Sequence, residues 1–347
     1  MGTYILRRTL LMIPTFLVIT ILVYFLCRSV PGGPIERAKE RIMMANLQEG
    51  AKSSNAYNDQ LDKFATGELS PEDKAALMAQ YNISDNAWAD YFSWLGRTLS
   101  GDLGMSATYN EPVSELIINR MPISIFYGVI SMFFIYGICV PLGVIKALKN
   151  ESFVDNLSSF FVFVAYAIPG YAFGAILLVY FAGQWQWFPL GGFVSDNFDS
   201  LSFTAKIYDL IHHAALPMSC YLIGSFAFMT MLVKNTMLDN LSYDYIRTAL
   251  AKGVPYKKAV FRHALDNSLV PLATHFGNSI SLIISGSFLI EKVFNIEGLG
   301  LLGFNSLENR DFEVVMGILA ISCLLQMIGN LLSDICVAYV DPRVKFD

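Results

Sequence analysis

The chain has 347 residues, of which 54% are hydrophobic and 15% charged, with a formal net charge of −5. A water-soluble domain carries about 25% charged residues. The deficit here, with a mean hydropathy of +0.47, excludes an ordinary soluble globule and points to an all-α polytopic membrane protein. The charges are segregated by loop, so the net value identifies no partner, and a nucleic-acid partner is not expected. Cys27, Cys139, Cys220, Cys323 and Cys336 all fall in apolar runs without close pairs, so neither a disulfide framework nor a zinc site is indicated.

One central charge costs a membrane helix about 2.5–3.5 kcal/mol, whereas a Leu or Phe returns about 0.3–0.6 kcal/mol, so a long charge-free run is informative. Six such windows occur in the chain. The first lies between Arg8 and Arg28. Arg7 and Arg8 precede it as in a signal peptide, but its apolar run exceeds the usual length of about 7–15 residues and no small-x-small site follows, so an uncleaved helix is expected.

The segment from Ser29 to Met121 follows as the main non-membrane part. It opens with a Pro31-Gly32-Gly33-Pro34 turn and is polar from Glu36 to Asn86. Short helices are expected near Ile35–Gln48, Pro71–Tyr81 and Asn86–Leu99. Gly101-Asp102-Leu103-Gly104 and Arg120-Met121-Pro122 then close the segment. Its polar composition predicts a docking or gating role rather than membrane anchoring.

The second window runs from about Ile123 to Ile145 and the third from about Leu157 to Ala182, with Pro141 and Pro169-Gly170 predicting kinks. Trp185 and Trp187 stand at the third window's end, as interfacial anchors would. An amphipathic stretch from Phe203 to Ile211 and the pair His212-His213 precede the fourth window, about Ala214 to Val233. Adjacent histidines point to different sides of a helix, which disfavours a metal site. The fifth window is about Leu272 to Ile290 and the sixth about Val314 to Ser333. Asn278 and Gln326 within them are expected to make interhelical hydrogen bonds rather than substrate contacts.

Lys and Arg in the short loops give the orientation. Arg7, Arg8, Lys146, Lys149, Lys234, the cations from Arg247 to Arg262, Arg343 and Lys345 fall on one side; the short loops opposite hold Lys206, Lys292 and Arg310. Both termini are therefore expected to be cytoplasmic, with 29–121 outside.

The most basic short segment lies between the fourth and fifth windows, YIRTALAKGVPYKKAVFRHALDNSLVP from Tyr245 to Pro271. Helix formers run to Lys252. Gly253 then stands where a helix-ending residue of positive φ would stand, and Pro255 suits the first turn of a new helix. Val260, Phe261, Ala264, Leu265, Ser268 and Leu269 recur at three- and four-residue spacing and are expected to share one face. Two short helices around a glycine elbow result. A basic loop that only sets topology and touches anionic lipid is the plain alternative.

Much chemistry is missing from the chain. No Gly-x-x-x-x-Gly-Lys-[Ser/Thr], His-Glu-x-x-His or Gly-x-Ser-x-Gly occurs, so a P-loop, a zinc protease and an elbow hydrolase lack support. Gly298-Leu299-Gly300 is not a phosphate loop, because no Lys-Ser or Lys-Thr follows it. The six windows hold no carboxylate, lysine or arginine, and no proton-relay group is expected there.

The basic segment resembles the cytoplasmic coupling loop of binding-protein-dependent ABC import permeases. Their general signature is Glu-Ala-Ala, three residues, then Gly; here Arg247-Thr248-Ala249 and Gly253 take those places, as in the oligopeptide/dipeptide branch. Gly101-Asp102-Leu103-Gly104, Arg120-x-Pro122, Glu291-x-x-Phe294 with Gly298-Leu299-Gly300, and Asp341-Pro342-Arg343 fit the same branch. Asn197-Phe198-Asp199-Ser200-Leu201 and Leu301-Leu302-Gly303 look closest to the Yej-type permeases, linked to oligopeptides and antibiotics of the microcin C kind.

The resemblance implies a type I ABC importer permease fold with six transmembrane helices. It divides the chain into an N-terminal helix (1–28), an exoplasmic insertion (29–121), a permease core (122–340) holding the coupling loop 234–271, and a tail (341–347). It implies a non-enzymatic subunit of the bacterial inner membrane that binds no cofactor, ATP and Mg being held by partners. Those partners are a second homologous permease, two ABC ATPases and a periplasmic or lipid-anchored peptide-binding protein. In the coupling loop, Gly253 would set the angle, Val254, Tyr256 and Ala259 would supply contact surface and Lys257, Lys258 and Arg262 charge, with Ala249, Ala251 and Lys252 beside them. A self-sufficient secondary carrier or channel is the competing reading.

Overall fold

The computed structural model describes residues 2–29 and 86–340. The helices expected near 35–48 and 71–81 lie outside the described residues. Within them, regular structure is helical apart from one isolated bridge between Met105 and Pro112.

Helix α1 spans Gly2–Ser29. Helix α2, Ala87–Leu99, starts at Asn86, whose side-chain oxygen accepts from the amides of Trp88 and Ala89, satisfying two of the orphan donors at a helix start. Helix α3, Val113–Phe134, continues through a π-turn at Ile135–Cys139 into α4, Val140–Leu148. Pro141 therefore sits in the first turn after the π-turn, where its missing N–H is tolerated.

Helices α5, Phe153–Ala167, and α6, Gly170–Leu177, with a π-turn to Gln184, meet at a 93° bend. The bend falls at Pro169, as the sequence predicts. Helix α7, Phe203–Ser242, is 40 residues long. It absorbs the amphipathic stretch before the fourth window and continues past its end, because a helix does not stop where charge-free sequence stops.

The elbow holds α8 (Asp244–Ala251), α9 (Tyr256–Ala259), a π-turn (Val260–Ala264) and α10 (Leu265–Ser268). Then come α11 (Val270–Ser285), α12 (Phe288–Val293), α13 (Leu299–Glu308) and α14 (Phe312–Val340).

Four helical stretches are long and apolar enough to cross a membrane, at Thr3–Ser29, Val113–Leu148, Phe203–Ser242 and Phe312–Val340; the bent pair makes a fifth if counted as one span. The fifth charge-free window differs from expectation. Its helix α11 has 16 residues and breaks at Gly286, φ 62°. At 1.5 Å per residue it covers about 24 Å, short of a hydrocarbon core of about 30 Å.

The chain forms two compact units: Met1–Met12, Asn119–Leu302 and Ile321–Asp347 in one, Ile13–Ile118 and Gly303–Ala320 in the other. The first has two apolar clusters. One gathers Val144, Met229, Val233, Met237, Ile246 and Val260 around α4, α7 and the elbow. The other gathers Tyr127, Met218, Cys220, Ile290 and Phe294 around α3, α7 and α12.

In the second unit, α2 packs on the later half of α1 through Tyr91 and Trp94, with Thr20 Oγ1 and Tyr91 OH 3.0 Å apart. In the motif after α2, Gly101 and Gly104 take φ 87° and 83°, and the Gly104 amide donates to Asp102 Oδ1 at 2.9 Å. Ser106 Oγ and the Thr108 amide donate to Asp311, at 2.6 and 2.9 Å.

Candidate functional site

Three features of the first unit are candidates for function: the elbow, a buried ion triad and a cavity.

At the elbow, Lys252 caps α8 and Gly253 takes φ 83°. The Gly253 amide donates to Leu250 O at 2.9 Å and the Val254 amide to Ala249 O at 3.1 Å. This pair of bonds is the Schellman arrangement, which satisfies the last carbonyls of a helix and needs a left-handed residue. No atom lies within 4 Å of a Cβ added to Gly253, so glycine is required there by φ and not by space.

The elbow is tied to α7. Tyr245 OH donates to Asn240 Oδ1 at 2.6 Å, Asn267 Nδ2 to Tyr245 OH at 3.3 Å and Asn240 Nδ2 to Ser268 Oγ at 3.1 Å.

The sequence-predicted residues divide into two sets. Ala251, Lys252, Gly253, Tyr256, Lys257, Lys258 and Arg262 are exposed, and Ala249 and Val254 are half-buried. Lys252, Lys257, Lys258 and Arg262 form no ion pair among the described residues. Ala259 is a correction: it is fully buried with Val260 and Ala264, so it packs the elbow onto its own chain and offers no outer contact surface. The expected common face of the second helix is formed by Val260, Ala264 and Ser268, with Leu265 and Leu269 beside them, but Phe261 turns outward and is 51% exposed. Phe261, against the periodicity that puts it on the shared face, and Leu250, which periodicity does not mark, are exposed large apolar residues of the elbow.

Below the first cluster, Lys146, Asp155 and Lys234 converge from α4, α5 and α7. Lys146 Nζ lies 2.9 Å from Asp155 Oδ1 and Lys234 Nζ 2.7 Å from Oδ2. Lys146 Nζ also donates to Ser158 and Ser159 Oγ, both at 2.8 Å, and the Glu151 amide donates to Asp155. Lys146 is 1% exposed and Asp155 2%. Charges so buried persist only when paired and hydrogen-bonded. Charge counting read the two lysines as topology markers and could not see the convergence.

A cavity of about 550 Å³ lies among α3, α6, α7, α11 and α12, with Ser131, Tyr171, Tyr221, Ser225, Phe228 and His275 in its lining. His275 stacks edge-on against Phe228 at 4.9 Å. It corrects the expectation that the fifth window holds no relay-capable group, since an imidazole ring carries both a donor and an acceptor nitrogen. The side chain of Asn278 lies outside the described residues. Gln326 donates to Asn330 at 2.9 Å, a bond within its own helix α14.

Beside the cavity, Glu291 is buried. Its carboxylate accepts from the Leu301 amide at 2.7 Å and the Ser287 amide at 3.2 Å, and from Tyr221 OH at 3.4 Å. It thus sits at the first turn of α13, where negative charge is favoured. A Cβ on Gly298 would lie 2.6 Å from this carboxylate, which explains the glycines of the Glu291…Gly300 motif as room for the acid. Arg120 of the Arg-x-Pro motif approaches Glu297 at 3.9 Å. The adjacent histidines bond locally, His212 to Trp187 O and His213 to Asp209 O.

A family model described as binding-protein-dependent transport system inner membrane component matches residues 139–346. The chain is 38% identical, over 100% of both sequences, to the inner membrane ABC transporter permease protein YejB of Escherichia coli O157:H7. It is 34% identical to the peptidoglycan transport system permease protein YejB of Agrobacterium fabrum, over 100% of this chain and 99% of the relative. It is 35% identical to the oligopeptide transport system permease protein AppB of Bacillus subtilis, over 100% of both.

Proposed function

The chain belongs to the family of binding-protein-dependent transport system inner membrane components, and from that premise we propose that it is the permease subunit of an ATP-driven peptide importer. Relatives named for oligopeptides and for peptidoglycan support peptides or peptide-like compounds as cargo. The cargo arrives on a binding protein outside, crosses with the help of a second homologous permease, and is driven by two ATPase subunits that hold ATP and Mg. The chain itself carries out no hydrolysis. Six membrane crossings with both termini cytoplasmic remain the preferred topology; the bent pair α5–α6 supplies the third and α11 with α12 the fifth.

The observation that carries the reading is the Schellman-closed elbow with Lys252, Lys257, Lys258 and Arg262 exposed and without an ion pair among the described residues. Gly253 sets the angle between α8 and α9. Val254 and Tyr256, joined by Phe261, form the contact surface for an ATPase groove, with Ala249 and Ala251 allowing close approach. Lys252, Lys257, Lys258 and Arg262 supply the charge. A push on the elbow is transmitted to α7 through Tyr245, Asn240 and Asn267, and α7 also lines the cavity with Tyr221, Ser225 and Phe228.

Gly253→Val costs about 1–2 kcal/mol of backbone strain, too little to unfold the chain and enough to misplace the elbow. The expected result is normal membrane abundance, lost peptide uptake and weaker ATPase retention on co-purification. Wild-type uptake with the ATPases still bound would leave the elbow as a topology loop only. One observation favours the secondary-carrier reading, namely His275 in the cavity lining. Uptake by this chain in proteoliposomes without any ATPase would establish that reading instead.

A further inference from the structure

Helix α2 has the polarity of a helix in water turned inside out. Its two charges face the protein: Asp90 is buried and pairs with Arg28 of α1, and Arg97 pairs with Glu313 at 3.4 Å. Its outer face holds Trp88, Ala89, Phe92, Ser93, Gly96 and Leu99, without a charge among them. Trp88 is 52% exposed, Phe92 60% and Leu99 75%. A surface helix in water turns its charged side outward, so this face is built for an apolar neighbour.

We propose that α2 lies in the outer interfacial layer of the bilayer, with Trp88, Phe92 and Leu99 directed into lipid. The occupant follows from continuity with α1. The Trp88 ring lies 4.7 Å from that of Phe25, and Leu22 and Leu26 of α1 are exposed beside it. α1 is a candidate span with 17% of its window buried within this chain, and Ile13, Val18, Leu22 and Leu26 stand exposed along it as an apolar surface suited to lipid. The apolar face of α2 prolongs that lipid-facing surface at the end of the span, the depth where tryptophan is enriched. An interfacial helix sinks its apolar face about 5–10 Å into the headgroup boundary, and the inward ion pairs leave no charge on that face to oppose this. For residues 87–99, anchoring thus replaces the docking or gating role expected from the composition of the whole segment. The inference rests on the chain spanning a membrane and is independent of the cargo.

The test uses the assembled transporter in liposomes of phosphatidylcholine brominated at shallow or deep acyl positions. Emission of Trp88 is obtained as the difference between the native complex and one carrying Trp88→Phe, so other tryptophans cancel. For an interfacial ring, that difference signal should lose roughly half its intensity with shallow bromines, less with deep ones, and little with aqueous iodide. Quenching by iodide but not by bromolipid would place the face in water. Quenching by neither would mean that a protein covers it. Either result overturns the proposal.

Discussion

Asp155 binds two lysines from two other helices, all three of them buried, and its removal strands both cations. Breaking such a buried cluster by deleting one partner costs about 3–5 kcal/mol, whereas exchange of the whole triad for well-packed apolar residues is often neutral or stabilising. Asp155→Asn should therefore lower the thermal midpoint of the detergent-solubilised protein sharply. The triple change Lys146→Met, Asp155→Leu, Lys234→Met should unfold close to the wild type. Equal midpoints for Asp155→Asn and wild type would show that the ion pairs carry no stability. Of these residues the sequence made only the charges visible. Lys146 and Lys234 lie 88 positions apart, and no spacing rule joins them to Asp155. Gly253 is the opposite case, because its role comes from its own φ and its immediate neighbours, and local sequence is enough to identify it.

At the scale of elements, the approach of α11 to α14 depends on Gly277. A Cβ there would lie 2.1 Å from Gly329 O and 2.6 Å from Ser333 Cβ, and Ser333 Oγ donates to Ala273 O at 2.9 Å and Thr274 O at 2.7 Å. Small residues let membrane helices approach closely where no hydrophobic force drives them together. Gly277→Leu should separate the pair and lower the unfolding temperature by an amount reflecting overpacking of about 1–3 kcal/mol. Gly224→Leu, where no atom lies within 4 Å of an added Cβ, is the control, and equal midpoints for the two variants would remove the tight contact from the account. Helix lengths were less legible than helix positions. Charge-free windows locate the apolar middle of α7 but miss its flanks, since polar ends outside the hydrocarbon layer are compatible with the same continuous helix. The break at Gly286 has no signal in the charge pattern, because its neighbours are as apolar as the helix before it.

For the molecule as a whole, the orientation rests on Lys and Arg counts. With the native cysteines replaced, a cysteine at Asp199 should react with an impermeant maleimide on intact spheroplasts, while one at Lys257 should react only after permeabilisation. The reverse pattern would invert the topology. The sequence by itself determined the membrane class, most span positions, the bend at Pro169, the glycine elbow and the family, because each depends on local composition, on a backbone conformation or on a short motif. Only the tertiary structure decided that Ala259 packs inward while Phe261 faces out, that Lys146, Asp155 and Lys234 meet, that Glu291 occupies the space left by Gly298, and that α2 turns its charges away from its exposed face. These features depend on which helix faces meet, and helix faces distant in sequence are brought together by packing that no one-dimensional pattern encodes.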